Sequence, residues 1–265
     1  MTMLEVSQQG HIVTLTINRP DMRNALGEPG DGQVFFDTIA KINADRNIRC
    51  VILTGAGSAF SAGGNIKAMQ KREGPFEGGA MHVADGYRRG IHQIVKSLWG
   101  LEVPAIAAVN GAAIGLGNDV ACLCDMRIAS EKAIFGATFL KIGLIPGDGG
   151  AWLLPRIIGH ARASELLFTG NIVSAETALD WGLVSQVVSD DKLLETAHDM
   201  ATDIVRQSGE SLRAAKRLMR HGQTSAFETV MEMSANAQAL MHVSEDHLEA
   251  VSAMLEKRSA EYQDK

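Results

Sequence analysis

The chain is poor in cysteine, with only Cys50, Cys122 and Cys124 among 265 residues. None stands in a CxxC pair, so neither a disulfide framework nor a thiolate metal site is expected; the three read as buried small hydrophobes in a reducing compartment. Positive charge is also scarce. With Lys+Arg 25 against Asp+Glu 31, the formal net charge is −6, which gives no basic field for nucleic acid or an anionic membrane. The opening MTMLEVSQQG has no basic segment followed by an apolar run and does not read as a signal peptide. No apolar stretch reaches the roughly 18 residues of a membrane span. A cytoplasmic address is therefore expected. Repeats with a period of about 20–50 residues and low-complexity tracts are absent, which excludes a solenoid or a string of small modules.

What is present suits one globular unit. Hydrophobic residues make up 46 % and charged residues 21 %, an ordinary soluble composition in a chain long enough to bury a sizeable core. HIVTLTINRP alternates Ile12, Thr14 and Thr16 against Val13, Leu15 and Ile17 before Pro20, which predicts a strand ending in a turn. Residues 33–45 carry amphipathic helical spacing. CVILTG and PAIAAVNG read as short buried strands with helical spacing near 86–99 between them, the strand–helix–strand order of α/β proteins. Beyond residue 160, SAETALDWG, residues 190–207, SLRAAKRLMRHG and the stretch 225–260 favour helix, with Gly182, Gly209 and Gly222 as stops. The segments 27–33 (GEPGDGQ) and 70–86 (QKREGPFEGGAMHVADG) read as glycine-rich loops. The division expected is an α/β core over residues 1–200 and a helical region over 201–265.

Common chemical motifs fail one by one. The loops GAGSAFSAGG and GAAIGLG lack the third glycine of a dinucleotide fingerprint, at Phe60 and Val120, and no GxxxxGK[ST] occurs. His242 and His247 stand five apart, a spacing that does not place two imidazoles on one helical face, so they read as solvated helix residues rather than a zinc site. AFSAG at 59–63 approaches the GxSxG nucleophile elbow, but alanine replaces the first glycine and no histidine segment matches it, which disfavours Ser61 as a nucleophile. Two glycine turns, SAGGNIKAM and AIGLGNDVA, each follow a strand and lead toward a helix. Unpaired backbone N–H groups on two such turns can hold one oxyanion, and removing one such donor typically raises the barrier by about 3–4 kcal/mol.

These segments, with INRPDMRNAL (17–26), FGATFLKIGLIPGDGGAWLLPRIIG (135–159), GNIVSAETALDWGLVSQVV (170–188) and LEKRSAEYQ near the end, resemble the crotonase superfamily, the enoyl-CoA hydratase/isomerase family. The resemblance implies an α/β fold, the crotonase spiral of ββα repeats, with a C-terminal helical region that builds a homotrimer or a hexamer made of two trimers. It implies an acyl-CoA thioester substrate, with coenzyme A as part of that substrate, and no further cofactor, no metal, no nucleic acid and no membrane. It places the oxyanion donors at the N–H groups of Gly64 and Leu116. CoA or acyl contacts fall at Arg23, Ala25, Ala62, Gly64, Asn65, Ile66, Lys67, Leu116, Phe139 and Lys257, the last reaching a neighbouring subunit's ligand. Placed cations would then serve a polyanionic ligand on an acidic protein.

The chain departs from the family at its acids. Asp119 and Phe139 stand where typical hydratases carry two glutamates, and phenylalanine can neither donate nor hold water. The KIGLIPxxGGxWLLPR stretch is similar to the ring-isomerising branch of phenylacetate catabolism, which also has an aromatic residue at the position of Phe139 but an acid one place earlier than Asp148. Asp119 reads either as a helix-dipole partner or as an acid/base residue, and Asp148 either as a helix cap in PGDGG or as the replacement for the missing acid. The two aspartates are expected on opposite sides of the acyl pocket. The reading this supports is an enoyl-CoA hydratase or enoyl/dienoyl-CoA isomerase. Its alternatives are a non-catalytic acyl-CoA-binding homologue and a dehalogenase- or hydrolase-type crotonase.

Overall fold

The computed structural model describes residues 2–263. Strands β1 (Leu4–Gln9) and β2 (Ile12–Ile17) form an antiparallel hairpin. The chain then repeats one move, laying a strand in a large sheet and the next, shorter strand in a small one. β3 (Cys50–Gly55), β5 (Ala105–Val109), β7 (Met126–Ser130) and finally β10 (Gln186–Val188) enter the large sheet, while β4 (Ala59–Ser61), β6 (Ala112–Ile114), β8 (Ile134–Gly136) and β9 (Ile172–Ser174) build the small one. The strand orders are β1-β2-β3-β5-β7-β10 and β4-β6-β8-β9. All pairs beyond the first hairpin are parallel except β8 with β9.

Parallel neighbours need long crossovers, and helices supply most of them. α1 (Asp31–Ala44) joins β2 to β3; α2 (Ile66–Lys71), α3 (Ala80–Arg89) and α4 (Ile91–Trp99) lie between β4 and β5; α5 (Leu116–Leu123) joins β6 to β7. α6 (Gly150–Thr169), bent where Gly159 leaves helical geometry, and α7 (Ala175–Asp180) flank β9. α8 (Leu193–Val205), α9 (Gly209–Gly222), α10 (Phe227–His242) and α11 (Glu245–Glu256) follow the last strand. Among the described residues no helix is long and apolar enough to cross a membrane.

Side-chain alternation splits the large sheet between two cores. Cys50 and Ile52 of β3 and Ile106 and Ala108 of β5 face Leu193, Ala197 and Ala201 of α8. Val51, Leu53, Ala107 and Val109 face the main core with Phe35, Phe60 and Leu116. Burial on both faces is why these strands read as unbroken apolar runs. The three cysteines are free and buried, and burial pushes each thiol up to about 12.

Several segments differ from the sequence expectation. The expected loop 70–86 holds a 3-10 turn (Gly74–Phe76) and the start of α3, and the helical spacing near 86–99 falls on two helices parted at Gly90. Asp31, 1 % exposed, opens α1 inside the expected loop 27–33 and accepts both Arg19 guanidinium nitrogens (2.7 and 2.6 Å) and the N–H groups of Gly27 and Glu28 (3.0 Å each). The 225–260 stretch is two helices rather than one, because Ser244 caps α11 by accepting the His247 N–H at 3.2 Å. That reversal brings His242 Nδ1 and His247 Nε2 to 3.2 Å, although five residues on one helix would part them. Gly209 begins α9 instead of stopping a helix.

Candidate active site

The two glycine turns meet. Gly63 has φ +85°, and a Cβ added there would lie 3.3 Å from the Leu116 amide nitrogen, so the turn after β4 touches the start of α5 and only glycine fits. On its other side the Leu26 N–H donates to the Gly63 carbonyl at 2.9 Å. Among the hydrogen bonds of the described residues, none is donated by the Gly64 or the Leu116 N–H. Leu116 is the first residue of α5, whose opening N–H groups have no acceptor within the helix and carry the positive end of its dipole. Gly64 and Leu116 line the same cleft, a narrow space of about 40 Å³. Two free donors on one apolar cleft have the composition of an oxyanion hole.

The rest of the wall is mostly apolar, with Ile66, Met69, Ile91 and Leu144, and its polar side chains are Tyr87, Thr138 and Asp148. Phe139, 9 % exposed, stands on the 3-10 turn Thr138–Ile142 and closes one side. A larger cavity, about 550 Å³, lies elsewhere, against α6 and α9. It contains neither free donor and neither acid of the cleft region, so we assign the site to the smaller cleft, where the chemistry-bearing groups converge.

Asp148 is not a helix cap. Gly149 holds the N-cap position of α6 with φ +113° and no side-chain cap bond forms. The Asp148 side chain, 5 % exposed, faces the cleft with an Oδ1 that has no hydrogen-bond partner, and burial pushes the carboxyl up to about 6. Asp119, in the first turn of α5, is fully buried and does not line the cleft. Its Oδ2 accepts the Gly150 N–H at 2.9 Å, and the Asn118 amide donates to Oδ1 at 3.4 Å. A Cβ on Gly150 would come within 2.5 Å of Asp119 Oδ1, so glycine at 150 admits this approach. The acids are thus neighbours rather than opposing jaws. Burial and then the Asp148 charge push Asp119 up to about 8, against the smaller opposing pull of the Gly150 N–H and Asn118. Both carboxyls are thus held above the ordinary range, Asp119 further than Asp148, the kind of separation that acid/base sites use.

The other expected positions fall into two groups. The Ala62 N–H donates to the Arg23 carbonyl at 2.9 Å, and Leu26, next to Ala25, bridges Gly64, so the 23–26 turn lies along the 62–67 segment. Asn65 caps α2 and donates to Glu28 at 2.8 Å. Arg23 and Lys67 are exposed on this rim, and the described residues offer neither an ion-pair partner. Lys257, in the left-handed C-cap of α11, is not among the residues around the cleft. Ser61 is fully buried and its hydroxyl accepts the Gly63 N–H at 3.2 Å, so it is no exposed nucleophile. Tyr87 and Asn118 were not singled out from the sequence. Helical spacing near 86–99 signalled the helix, but not which face meets the cleft.

The fold that brings these two donors and a buried acid to one cleft has a matching family model, described as enoyl-CoA hydratase/isomerase, over residues 7–265. The chain belongs to that family. It is 37 % identical over 251 residues to the 1,2-epoxyphenylacetyl-CoA isomerase of Escherichia coli K12, covering 95 % of this chain and 94 % of that one. It is 34 % identical to the short-chain-enoyl-CoA hydratase of Clostridium acetobutylicum, covering 97 % and 95 %. The crystal structure of an enoyl-CoA hydratase from Bacillus anthracis superposes with a TM-score of 0.93 at 33 % identity, over the full length of both chains.

Proposed function

We propose that the protein acts on an acyl-CoA thioester whose carbonyl oxygen sits between the Gly64 and Leu116 N–H groups, and that Asp148 moves a proton on the acyl chain. The observation that carries this is the unpartnered Asp148 Oδ1 in a cleft lined by those two donors. Removal of an α or γ proton by the Asp148 carboxylate gives an enolate whose charge the two donors hold. Return of that proton at the other carbon shifts the double bond, with no reagent consumed and the carboxylate regenerated. One carboxylate suffices for this transfer, whereas hydration also needs a held water, and Phe139 occupies the wall where a second acid would serve. We therefore favour double-bond isomerisation. Hydration is the second reading, supported by the names of relatives such as the Clostridium hydratase.

Arg23 and Lys67, the free cations of the rim, suit the CoA phosphates in this reading, and Asn65 with Ile66 suits the nucleotide end. Assembly into a trimer or a pair of trimers belongs to the proposal as well, supported by the apolar residues that α10 and α11 leave exposed, and Lys257 would then reach a neighbouring subunit's ligand. The test is turnover of a panel of 2-enoyl-, 3-enoyl- and dienoyl-CoA esters, followed by absorbance of the conjugated thioester. Asp148→Asn should lower kcat by about 10²–10⁴-fold, the range of a positioned acid/base group. Unimpaired turnover by that variant would end the assignment, and a panel on which water adds while no double bond moves would favour the hydratase reading.

A further inference from the structure

Asp148 stands in a turn with little stiffness of its own. Gly147 precedes it, and Gly149 follows at φ +113°. Its Oδ1 makes no bond, so that oxygen is aimed by the backbone that carries it. Two contacts from outside the turn bracket that backbone. On the downstream side, Asp119 Oδ2 accepts the Gly150 N–H at 2.9 Å. On the upstream side, His92 Nε2 lies 2.9 Å from the Gly147 carbonyl oxygen.

A carbonyl oxygen only accepts, so His92 Nε2 carries the hydrogen in this bond. The Gly147 carbonyl shares one rigid peptide plane with the Asp148 nitrogen. Holding the oxygen therefore sets the plane from which the Asp148 side chain departs. The imidazole is itself steadied. Tyr87 meets it edge-on, with ring centroids 5.8 Å apart at 70°, and Phe76 meets Tyr87 at 6.4 Å and 68°. Phe76, Tyr87 and His92 all lie in the segment between β4 and β5, remote in sequence from Asp148.

We propose that His92 is a positioning residue for Asp148, acting through the Gly147 carbonyl and held in place by the Tyr87 ring. The role rests on the reading of Asp148 as the proton-transfer group. Displacement of a reacting group by about 1 Å costs up to ~100-fold in rate, so loss of this bond is expected to appear in kcat and not in binding.

The experiment compares His92→Phe, which keeps a ring against Tyr87 but has no donor, with His92→Gln, which keeps a donor. Steady-state kcat and KM are measured on the best substrate of the panel, beside Asp148→Asn. The expected result is a kcat lower by about 10–100-fold in His92→Phe with KM within about two-fold, and recovery of most of the loss in His92→Gln. Should His92→Phe not fold, His92→Leu gives the same comparison. Wild-type kcat in the donorless variant, or equal impairment of the donorless and glutamine variants, overturns the positioning role. The two readings fail separately: an inactive Asp148→Asn beside a fully active His92→Phe removes only the role of His92, whereas a fully active Asp148→Asn removes the proton-transfer assignment and this inference with it.

Discussion

The spiral and the C-terminal helices are held by different means. In the spiral, β3 and β5 are buried along their whole length, and apolar side chains fill the space on both faces. α9 instead docks through charge: Arg213, 1 % exposed, reaches Glu102 at 2.9 Å and the carbonyls of Asn43, Asp45 and Ile48, while Lys216 Nζ meets Asp125 and the Val103 carbonyl at 2.6 Å each. α10 buries no residue and α11 buries only Asp246 and Ala253. Phe227, Val243, Met254 and Leu255 are 73, 78, 80 and 79 % exposed. The contrast teaches that the large sheet is covered on both faces by the chain's own apolar side chains, whereas the last two helices bury almost nothing and leave apolar side chains uncovered, as do Met81, Ile145 and Phe168 outside the sheet.

The comparison breaks most severely at Arg213. Arg213→Ala leaves three carbonyls and the half-exposed Glu102 carboxylate without their donor, and should cost about 1–3 kcal/mol. Denaturant unfolding measures it, and an unaltered midpoint would mean that α9 is held by packing alone. The exposed helices are tested next by Met254→Asp with Leu255→Asp. Under the proposed trimeric assembly, sedimentation should show a mass reduced toward the single chain while the circular dichroism spectrum keeps its shape; an unaltered mass would end the proposal that these helices form an interface.

Within the spiral, Asp119→Asn probes the second acid. Its folded carboxyl stands at about 8 against an ordinary 3.8, so folding favours the protonated form. That stability is complete below about pH 4 and is lost as pH rises through about 8. Asparagine keeps the acceptor for Gly150 and does not titrate, so the melting temperature of the variant should fall less between about pH 5 and 9 than that of the wild type. Parallel melting curves for the two would show that Asp119 is not held neutral. In activity, the wild-type rate should rise as Asp148 ionises near 6. The smallest effect is expected from Ser61→Ala, which removes one acceptor from the Gly63 N–H. Stability should drop by about 1 kcal/mol with kcat within about two-fold, and a large loss of turnover would revive the hydrolase alternative.

Much of this organisation was legible without coordinates. β3 and β5 were readable because a strand buried on both faces is an uninterrupted apolar run, and the glycine turns were readable because close backbone approach excludes side chains. The family was legible from ordered motifs along nearly the whole chain, and with it the candidate donors Gly64 and Leu116. The clamp on Asp148 was not. Fifty-five residues separate His92 from Gly147, and no periodicity records a bond across that distance. The break between α10 and α11 escaped as well, because Val243 and Ser244 interrupt a helical pattern without a glycine or proline to announce it. The burial of Arg213 and Lys216 was not legible either, since charge in a sequence does not say whether its partner is water or a buried carbonyl.

By itself the sequence determined the α/β class, the two glycine turns and the lone acid in GLIPGDGG, because these depend on local composition and short spacing; the acid missing at Phe139 was legible only through the family resemblance. Only the tertiary structure decided that Asp148 faces the cleft while Gly149 takes the cap position, and that Asp119 stands behind it on the Gly150 N–H. The physical reason is that a carboxylate's chemistry is set by its desolvation and its neighbours' charge, and both are properties of packing between segments far apart in the chain.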